Sequence, residues 1–188
     1  METINIPNTN SAYNKMLYWF FSFPYKEVTL NSLVKQLKVS KTTASKIITQ
    51  FVKERFIIKE IIGRNWVLKC NIDHEYNKSK KIPYNLEMIQ KSEIIKKINE
   101  NTPNFKAIVL FGSYRKGDDA EKSDIDIAVE VIGNKKLEIK KILTFKKFGY
   151  RKNIDVNLHI FSGNNINSNL FANIINGIVL DGFLEVKK

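Results

Sequence analysis

The sequence has little cysteine, little arginine and no long apolar run. Its single cysteine, Cys70, cannot form a disulfide within the chain, and no cysteine cluster offers a zinc site. The longest apolar run, Met16 to Phe21, has six residues, far fewer than the roughly 20 of a membrane-spanning helix. The first residues are not basic, and no signal-peptide core follows them. We therefore expect a cytoplasmic protein with no membrane contact.

Apolar and basic residues, in contrast, are abundant. Hydrophobic residues make up 43% of the 188 residues and aromatic residues 11%, which is enough for a packed core and excludes a disordered tail or a fibrous repeat. The 31 Lys+Arg residues, of which four are Arg, exceed the 19 Asp+Glu residues and give a net charge of +12. Residues 1–80 carry +7 and residues 81–188 carry +5. This charge attracts polyanions, although a compositional bias of the source genome explains it equally well.

Residues 1–70 predict three helices followed by a hairpin. The first helix is rich in aromatic residues, and Thr29 and Ser40 can cap the two amphipathic helices that follow. Gly63-Arg64-Asn65 joins two strand-like runs. The predicted ranges are Ala12 to Phe21, Leu30 to Leu37 and Lys41 to Glu54 for the helices, and Phe56 to Ile62 and Trp66 to Cys70 for the strands. This order is typical of a winged helix-turn-helix domain.

The polar face of the third predicted helix suggests a partner for this domain. Burying its apolar face exposes Lys41, Thr42 and Lys46 at the end that contacts base edges in winged-helix regulators. Together with Arg64 at the hairpin tip, these residues are our candidates for binding duplex DNA. Winged helices also serve as protein-interaction modules, and that alternative stays open.

The second half has a different pattern. Residues 71–83 are polar with no sustained apolar period, and we interpret them as a linker between two domains. Helical and strand-like patterns then alternate, which predicts an α/β (α+β) fold with a small mixed sheet in residues 84–188. The predicted helices are Leu86 to Asn99, ended by Pro103, then Leu137 to Phe148 and Asn169 to Asn176. The predicted strands are Ala107 to Phe111, Ser123 to Val131 and Ile154 to Phe161, with Gly177 to Val186 as a final strand or pair of strands.

One motif in this half indicates chemistry. An apolar strand ends at Gly112-Ser113, and after ten further residues Asp124 and Asp126 stand two apart on the next predicted strand. Side chains at this spacing point to the same face, about 7 Å apart, so both carboxylates can bind the same divalent cations. Carboxylates without nearby His or Cys suit Mg²⁺ or Mn²⁺. Gly112 leaves the backbone N–H groups of the turn open to a phosphate, and Ser113 adds a donor.

This pattern resembles the Gly-Ser, ten residues, Asp-x-Asp motif of the DNA polymerase β-type nucleotidyltransferase superfamily, particularly its minimal members. The resemblance covers roughly residues 86–186, and the whole chain resembles small prokaryotic, chiefly archaeal, nucleotidyltransferases with an N-terminal winged helix. It implies transfer of a nucleoside monophosphate from an NTP to a hydroxyl or phosphate, with release of pyrophosphate. It also implies that Gly112 and Ser113 bind the triphosphate and that Asp124 and Asp126 are the catalytic metal ligands.

The family usually has a third acid on a later strand. Asp155 is our candidate for this catalytic, metal-binding acid, because it shares the polar face of a predicted strand with Asn157 and His159. If the family position instead falls on Asn157, metal binding can survive with transfer much weakened, since an amide cannot act as a base. Arg115 and Lys116, one turn beyond the Gly-Ser pair, are predicted to reach the β- or γ-phosphate.

Three functions are compatible with these residues. The first is a Mg²⁺- or Mn²⁺-dependent nucleotidyltransferase with an unknown acceptor. The second is a transcriptional regulator whose nucleotidyltransferase-like domain senses a nucleotide without turning it over. The third, from the resemblance alone, is an antitoxin-like protein that nucleotidylates or masks a toxin partner. The intact Asp124 and Asp126 pair favours catalysis. An NTP is the expected substrate; DNA, a protein partner and a homodimer stay open.

Overall fold

The computed structural model describes residues 2–5, 11–102, 104–163 and 165–185. In its first part, three helices pack against a small antiparallel sheet. The elements are β1 (Glu2–Ile4), α1 (Ala12–Ser22), β2 (Val28–Thr29), α2 (Leu30–Leu37), α3 (Lys41–Lys53), β3 (Ile57–Ile62) and β4 (Asn65–Cys70). The sheet has the order β2-β4-β3. The hydroxyls of Thr29 and Ser40 accept hydrogen bonds from the N–H groups of Ser32 and Thr43, so both predicted caps are confirmed.

Residues 71–102 are folded into three helices. They are α4 (Tyr76–Ser79), α5 (Lys81–Lys91) and α6 (Ile94–Asn101), so most of the expected linker is helical. The single helix expected from Leu86 to Asn99 is wrong, because Glu93 has a φ of 54° and a right-handed helix cannot continue through it. Pro103, expected to end that helix, lies outside the described residues. The division of the chain into domains stays a prediction.

The rest of the chain forms a six-stranded mixed sheet. Its elements are β5 (Phe105–Phe111), α7 (Gly112–Lys116), β6 (Ile125–Val131), β7 (Glu138–Phe148), β8 (Arg151–Phe161), α8 (Ser168–Ile175) and β9 (Ile178–Gly182). The strand order is β1-β7-β8-β6-β5-β9. The pairs β1/β7 and β6/β8 are parallel, and the others are antiparallel. The predicted mixed sheet is therefore present; Val186, the predicted end of the last strand, lies outside the described residues.

The helix predicted from Leu137 to Phe148 is wrong, because these residues form β7. The strand pairs with β8 over nearly its whole length and turns into it at Gly149, whose φ is 64°. Its register shifts between Lys141 and Leu143. A bulge of this kind breaks the alternation of apolar and polar residues, so the sequence no longer has the period of two that identifies a strand.

The sheet buries apolar residues on both faces. On one face Ile125, Ile127 and Val129 join a core that continues into α1, α2 and α3. On the other face Ala128 and Phe161 pack with residues of β5 and α8. The even-numbered residues of β8 from Ile154 to Ile160 are buried, as their spacing predicted. None of the helices within the described ranges is long and apolar enough to cross a membrane.

Candidate active site

The site begins where β5 ends and α7 starts. Gly112 has a φ of 71°, a conformation that suits glycine. Phe111, just before it, pairs with Asp126 of β6. A Cβ atom at Gly112 would lie 2.8 Å from Oδ2 of Asp126, so the turn passes directly against this carboxylate. Sheet pairing thus brings the two halves of the motif together.

The two aspartates lie at the start of β6. Asp124 is exposed and immediately precedes the strand, and Asp126 is half-buried in it. Asn157 of β8 donates a hydrogen bond of 3.3 Å to Oδ2 of Asp124. Nε2 of His159 lies 3.4 Å from Oδ1 of Asp126. The neighbouring parallel strand therefore holds one oxygen of each carboxylate.

His159 is a site residue that the sequence analysis did not single out. Its ring packs edge-on against Phe111, with ring centroids 4.9 Å apart. Its Nδ1 is buried and has no hydrogen-bond partner among the described residues. The alternation of Asp155, Asn157 and His159 along β8 was the available signal, but only the parallel pairing with β6 shows that this face meets the two aspartates.

Asp155 lies on the same face of β8 and binds to β7. It accepts hydrogen bonds from the hydroxyl of Thr144 and, at 3.2 Å, from the ammonium of Lys141. The Thr144 hydrogen bond and the nearby Lys141 lower the pKa of Asp155. Asp124 and Asp155 each precede the paired residues Ile125 and Val156, but the hydrogen bond to Asp124 comes from Asn157. The role of Asp155 as third acid stays a prediction.

The predicted phosphate-binding residues occupy two places. Ser113 is half-buried in the first turn of α7, next to Gly112. Arg115 and Lys116 follow in its last turn and line a groove of about 810 Å³ together with residues of the 72–82 and 117–118 segments. The structure therefore groups Arg115 and Lys116 with the segment that precedes α5.

The donor atoms at the site fit a divalent cation. Asp124 and Asp126 offer hard carboxylate oxygens at the start of β6, beside the Gly112-Ser113 turn. Within the described ranges no group of three or more His, Cys, Asp or Glu residues could hold a metal ion. Mg²⁺ is nevertheless commonly held by one or two carboxylates together with substrate phosphates, and this site offers that arrangement.

The candidate DNA-binding residues lie far along the chain from this site. Lys41, Thr42 and Lys46 are exposed on α3, and Arg64 is exposed at the tip of the β3–β4 hairpin. Lys41 and Arg64 line the same small cavity of about 190 Å³ between helix and hairpin. The polar face of α3 is therefore accessible in the structure.

Two comparisons with known proteins bear on the site. Residues 93–181 match the family described as "Polymerase beta, Nucleotidyltransferase". This range includes Gly112, Ser113, Asp124, Asp126 and Asp155. A 44-residue stretch is 43% identical to the "Protein adenylyltransferase MntA" of Shewanella oneidensis. The matched stretch covers 23% of this chain and 32% of that protein, so the chain spans about a third of the relative it matches.

Proposed function

We propose that this protein is a metal-dependent nucleotidyltransferase. The observation that carries the proposal is the contact between the Gly112 turn and the carboxylate of Asp126, with Asp124 two residues before it. This contact joins a phosphate-binding turn and a pair of metal-binding acids at one point. The match of residues 93–181 to the nucleotidyltransferase family supports the same activity.

Each residue of the site has a specific part in this proposal. The open N–H groups at Gly112 and Ser113 bind the triphosphate, helped by the positive end of the α7 peptide dipoles. Asp124 and Asp126 hold Mg²⁺ or Mn²⁺. When bound, the cation neutralises charge on the α-phosphoryl group and on the leaving pyrophosphate. Asn157 and His159 keep the two carboxylates in place through their hydrogen bonds.

The transfer itself is a substitution at the α-phosphorus. The acceptor oxygen forms a bond to this atom, the bond to the bridging oxygen of the β-phosphate breaks, and pyrophosphate leaves. The proton of the acceptor hydroxyl passes to a base, for which Asp155 is the candidate. Asp155 is ionised at neutral pH, as a base must be, but the Thr144 hydrogen bond and Lys141 lower its pKa and so make it a weaker base.

We propose a protein hydroxyl as the acceptor and ATP as the nucleotide. The support is the matched stretch of the Shewanella oneidensis protein, whose name describes adenylyl transfer to protein. The product is then a phosphodiester between AMP and a Ser, Thr or Tyr side chain. A toxin partner modified in this way is one form of this proposal.

The test is transfer of label from ATP to protein. The full chain is incubated with a cell extract, Mg²⁺ or Mn²⁺, and ATP labelled at the α- or the γ-phosphate. We expect an extract protein that gains the α-label but not the γ-label, and that does so only when the chain is added; extract kinases transfer γ-label to other proteins with or without the chain. The double variant Asp124→Asn and Asp126→Asn should keep its fold by circular dichroism and lose both labelling and metal-dependent ATP binding. Equal labelling by the variant would refute the proposed site.

A nucleotide-sensing function is the second candidate. It is favoured by the position of Asn157, which contacts Asp124 but cannot act as a base. A sensor would bind the metal–ATP complex in calorimetry and label no protein. The same experiment therefore distinguishes the two functions.

We also propose that residues 11–70 form a winged helix-turn-helix that binds duplex DNA. The order of α1, α2 and α3 and the β2-β4-β3 sheet supports this interpretation. So does the exposure of Lys41, Thr42, Lys46 and Arg64, of which Lys41 and Arg64 line one cavity. If selection from random duplexes enriches no site, the module is a protein-interaction surface.

A further inference from the structure

A cluster of charged side chains is buried outside the candidate site. Asp119 is completely buried, and Lys81 and Arg151 are each 1% exposed. The ammonium of Lys81 donates to the backbone carbonyl of Asp119 at 2.5 Å and lies 3.4 Å from its Oδ1. Arg151 donates to Oδ2 at 2.8 Å, and Asn85 donates to Oδ1 at 2.7 Å. Both carboxylate oxygens are therefore occupied.

The cluster joins three distant segments of the chain. Lys81 and Asn85 belong to α5, and Arg151 begins β8. Asp119 belongs to the loop between the Gly-Ser turn and β6. The Arg151 guanidinium also lies over the ring of Tyr114 in α7, 4.8 Å from its centroid. The bonds thus hold the loop from two sides.

The same contacts continue to the metal-binding aspartates. Arg151 donates a second hydrogen bond, of 2.9 Å, to the carbonyl of Ala120. The N–H of Ala120 donates to Oγ of Ser123 at 2.9 Å, and the N–H of Ser123 donates back to the Ala120 carbonyl at 3.1 Å. Asp124 is the next residue. The path from the cluster to this carboxylate therefore consists of hydrogen bonds and one peptide unit.

The charge balance of the cluster is unusual for a purely structural ion pair. Two cations face one carboxylate, and burial lowers the pKa of Lys81, helped by the charge of Arg151, while Asp119 opposes the shift. Burying a second cation against one carboxylate is costly, because its desolvation can exceed its attraction to that carboxylate. Stability alone therefore gives little reason for a lysine at this position.

We propose that Lys81 and Arg151 are positioning residues for nucleotidyl transfer. Through Asp119 and Ala120 they fix residues 117–124, so that Asp124 meets Asp126 beside Gly112. Neither residue touches the nucleotide. This inference rests on the proposed function, and it gives Lys81, in the segment expected to be a linker, a part in the active site.

The test compares Lys81→Met with the neighbouring substitution Lys80→Met in the full chain. The Lys80 ammonium lies over the rings of Tyr13 and Tyr76 and donates to the Tyr13 hydroxyl, and none of these contacts involves the Asp119 loop, so Lys80 is the control. Hydrogen exchange of the amides of residues 117–124 reports on the loop. Calorimetry with Mn²⁺ and α,β-methylene-ATP reports on the site. We expect Lys81→Met to speed loop exchange and weaken analogue binding, each by about 3- to 10-fold, since one hydrogen-bonding group is lost. Exchange in α3 should not change, and Lys80→Met should behave like wild type.

A second variant keeps the test decisive if Lys81→Met does not fold. Ser123→Ala removes the hydroxyl of the Ala120 turn without unpairing a buried charge, and it should loosen the same amides and weaken the analogue. Wild-type loop exchange and affinity in the folded variants would overturn the inference. If wild type itself fails to bind the analogue, the proposed function fails, while the exchange rates still show whether Lys81 holds the loop.

Discussion

At the scale of single residues, the candidate site depends on the polar face of β8. Asn157 and His159 each contact one carboxylate of the proposed metal-binding pair, Asp124 and Asp126, whereas Asp155 bonds to Thr144 and Lys141 of β7. The strand therefore supplies both the supporting contacts and the candidate base. Asp155 can accept the proton of the acceptor hydroxyl only if the acceptor oxygen binds next to its carboxylate.

The substitution Asp155→Asn tests the third acid. If Asp155 is the base, transfer of α-label should fall by about 10²- to 10⁴-fold, because an amide cannot accept the acceptor proton. Binding of Mn²⁺ and α,β-methylene-ATP should change little. The control is Thr144→Val, which removes the hydrogen bond to Asp155 but keeps the carboxylate. Unchanged labelling by Asp155→Asn would exclude Asp155 from the reaction.

At the scale of elements, close backbone packing fixes the end of α7. Gly117 follows this helix with a φ of 77°, and a Cβ atom there would overlap with the carbonyl oxygen of Asn77 in α4. Side-chain rotation cannot relieve contact with a backbone atom. Gly117 therefore serves both as the C-cap of α7 and as the point where the 71–80 segment meets the loop before β6.

We expect Gly117→Ala to lower the free energy of unfolding by about 3 kcal/mol or more, through overlap and strained backbone together. The matched control is Gly63→Ala in the β3–β4 hairpin, where φ is 61° but a Cβ meets no atom within 4 Å. Its cost should be about 1 to 2 kcal/mol, from the backbone conformation alone. Urea unfolding of both variants measures the difference. Equal losses would contradict the packing argument.

The proposed DNA contacts of α3 can be tested with two substitutions. Lys46→Ala should weaken binding to all duplex sequences and reduce the slope of log affinity against log salt by roughly one unit, because one phosphate contact is lost. Thr42→Val should instead change sequence preference at a similar slope. Fluorescence anisotropy at several salt concentrations measures both. An unchanged slope for Lys46→Ala would place the phosphate contacts elsewhere.

At the scale of the whole molecule, the three-helix part (residues 11–70) and the rest of the described chain share one apolar core. Tyr84 of α5 stacks on Tyr18 of α1 with ring centroids 4.3 Å apart and also approaches Phe21 at 6.2 Å. Buried residues from Met16 to Ile160 belong to the same cluster. The candidate active site and the DNA-binding candidates are therefore attached to a common interior.

We expect a single cooperative unfolding transition by calorimetry, since unfolding either part would expose the core of the other. Tyr84→Ala should lower the transition temperature without splitting the transition, because it removes a buried aromatic at the centre of this contact. Two separate transitions in wild type would show that the parts are independent domains.

The buried lysine gives a dependence of stability on pH. Because burial lowers the pKa of Lys81, the folded protein binds fewer protons than the unfolded chain between that pKa and the ordinary lysine value of about 10.4. The contribution of Lys81 to the free energy of unfolding should therefore increase as pH rises through that window. It should be lost as pH falls through the lowered pKa. Lys81→Met should lack this component, which urea unfolding at a series of pH values up to about 10.4 can measure. Parallel pH profiles for variant and wild type would contradict it.

The sequence alone determined the elements whose signals are local. The caps of α2 and α3, the hairpin of β3 and β4 and the alternation along β8 depend on neighbouring residues, so each could be predicted. The shared face of Asp124 and Asp126 could likewise be predicted from the motif, because side chains two residues apart on a strand point to the same side.

Only the tertiary structure decided the features that depend on distant partners. Residues 138–148 form a strand because β8 pairs with them. A bulge in this pairing interrupts the alternation of apolar and polar residues, so the sequence does not indicate a strand. Asn157 and His159 join the site because β8 lies parallel to β6 in one register. The Lys81, Asp119 and Arg151 cluster has no local signal at all, since its members lie 32 to 70 residues apart and meet only when the core closes. Long-range pairing and burial, which no local pattern encodes, set these positions.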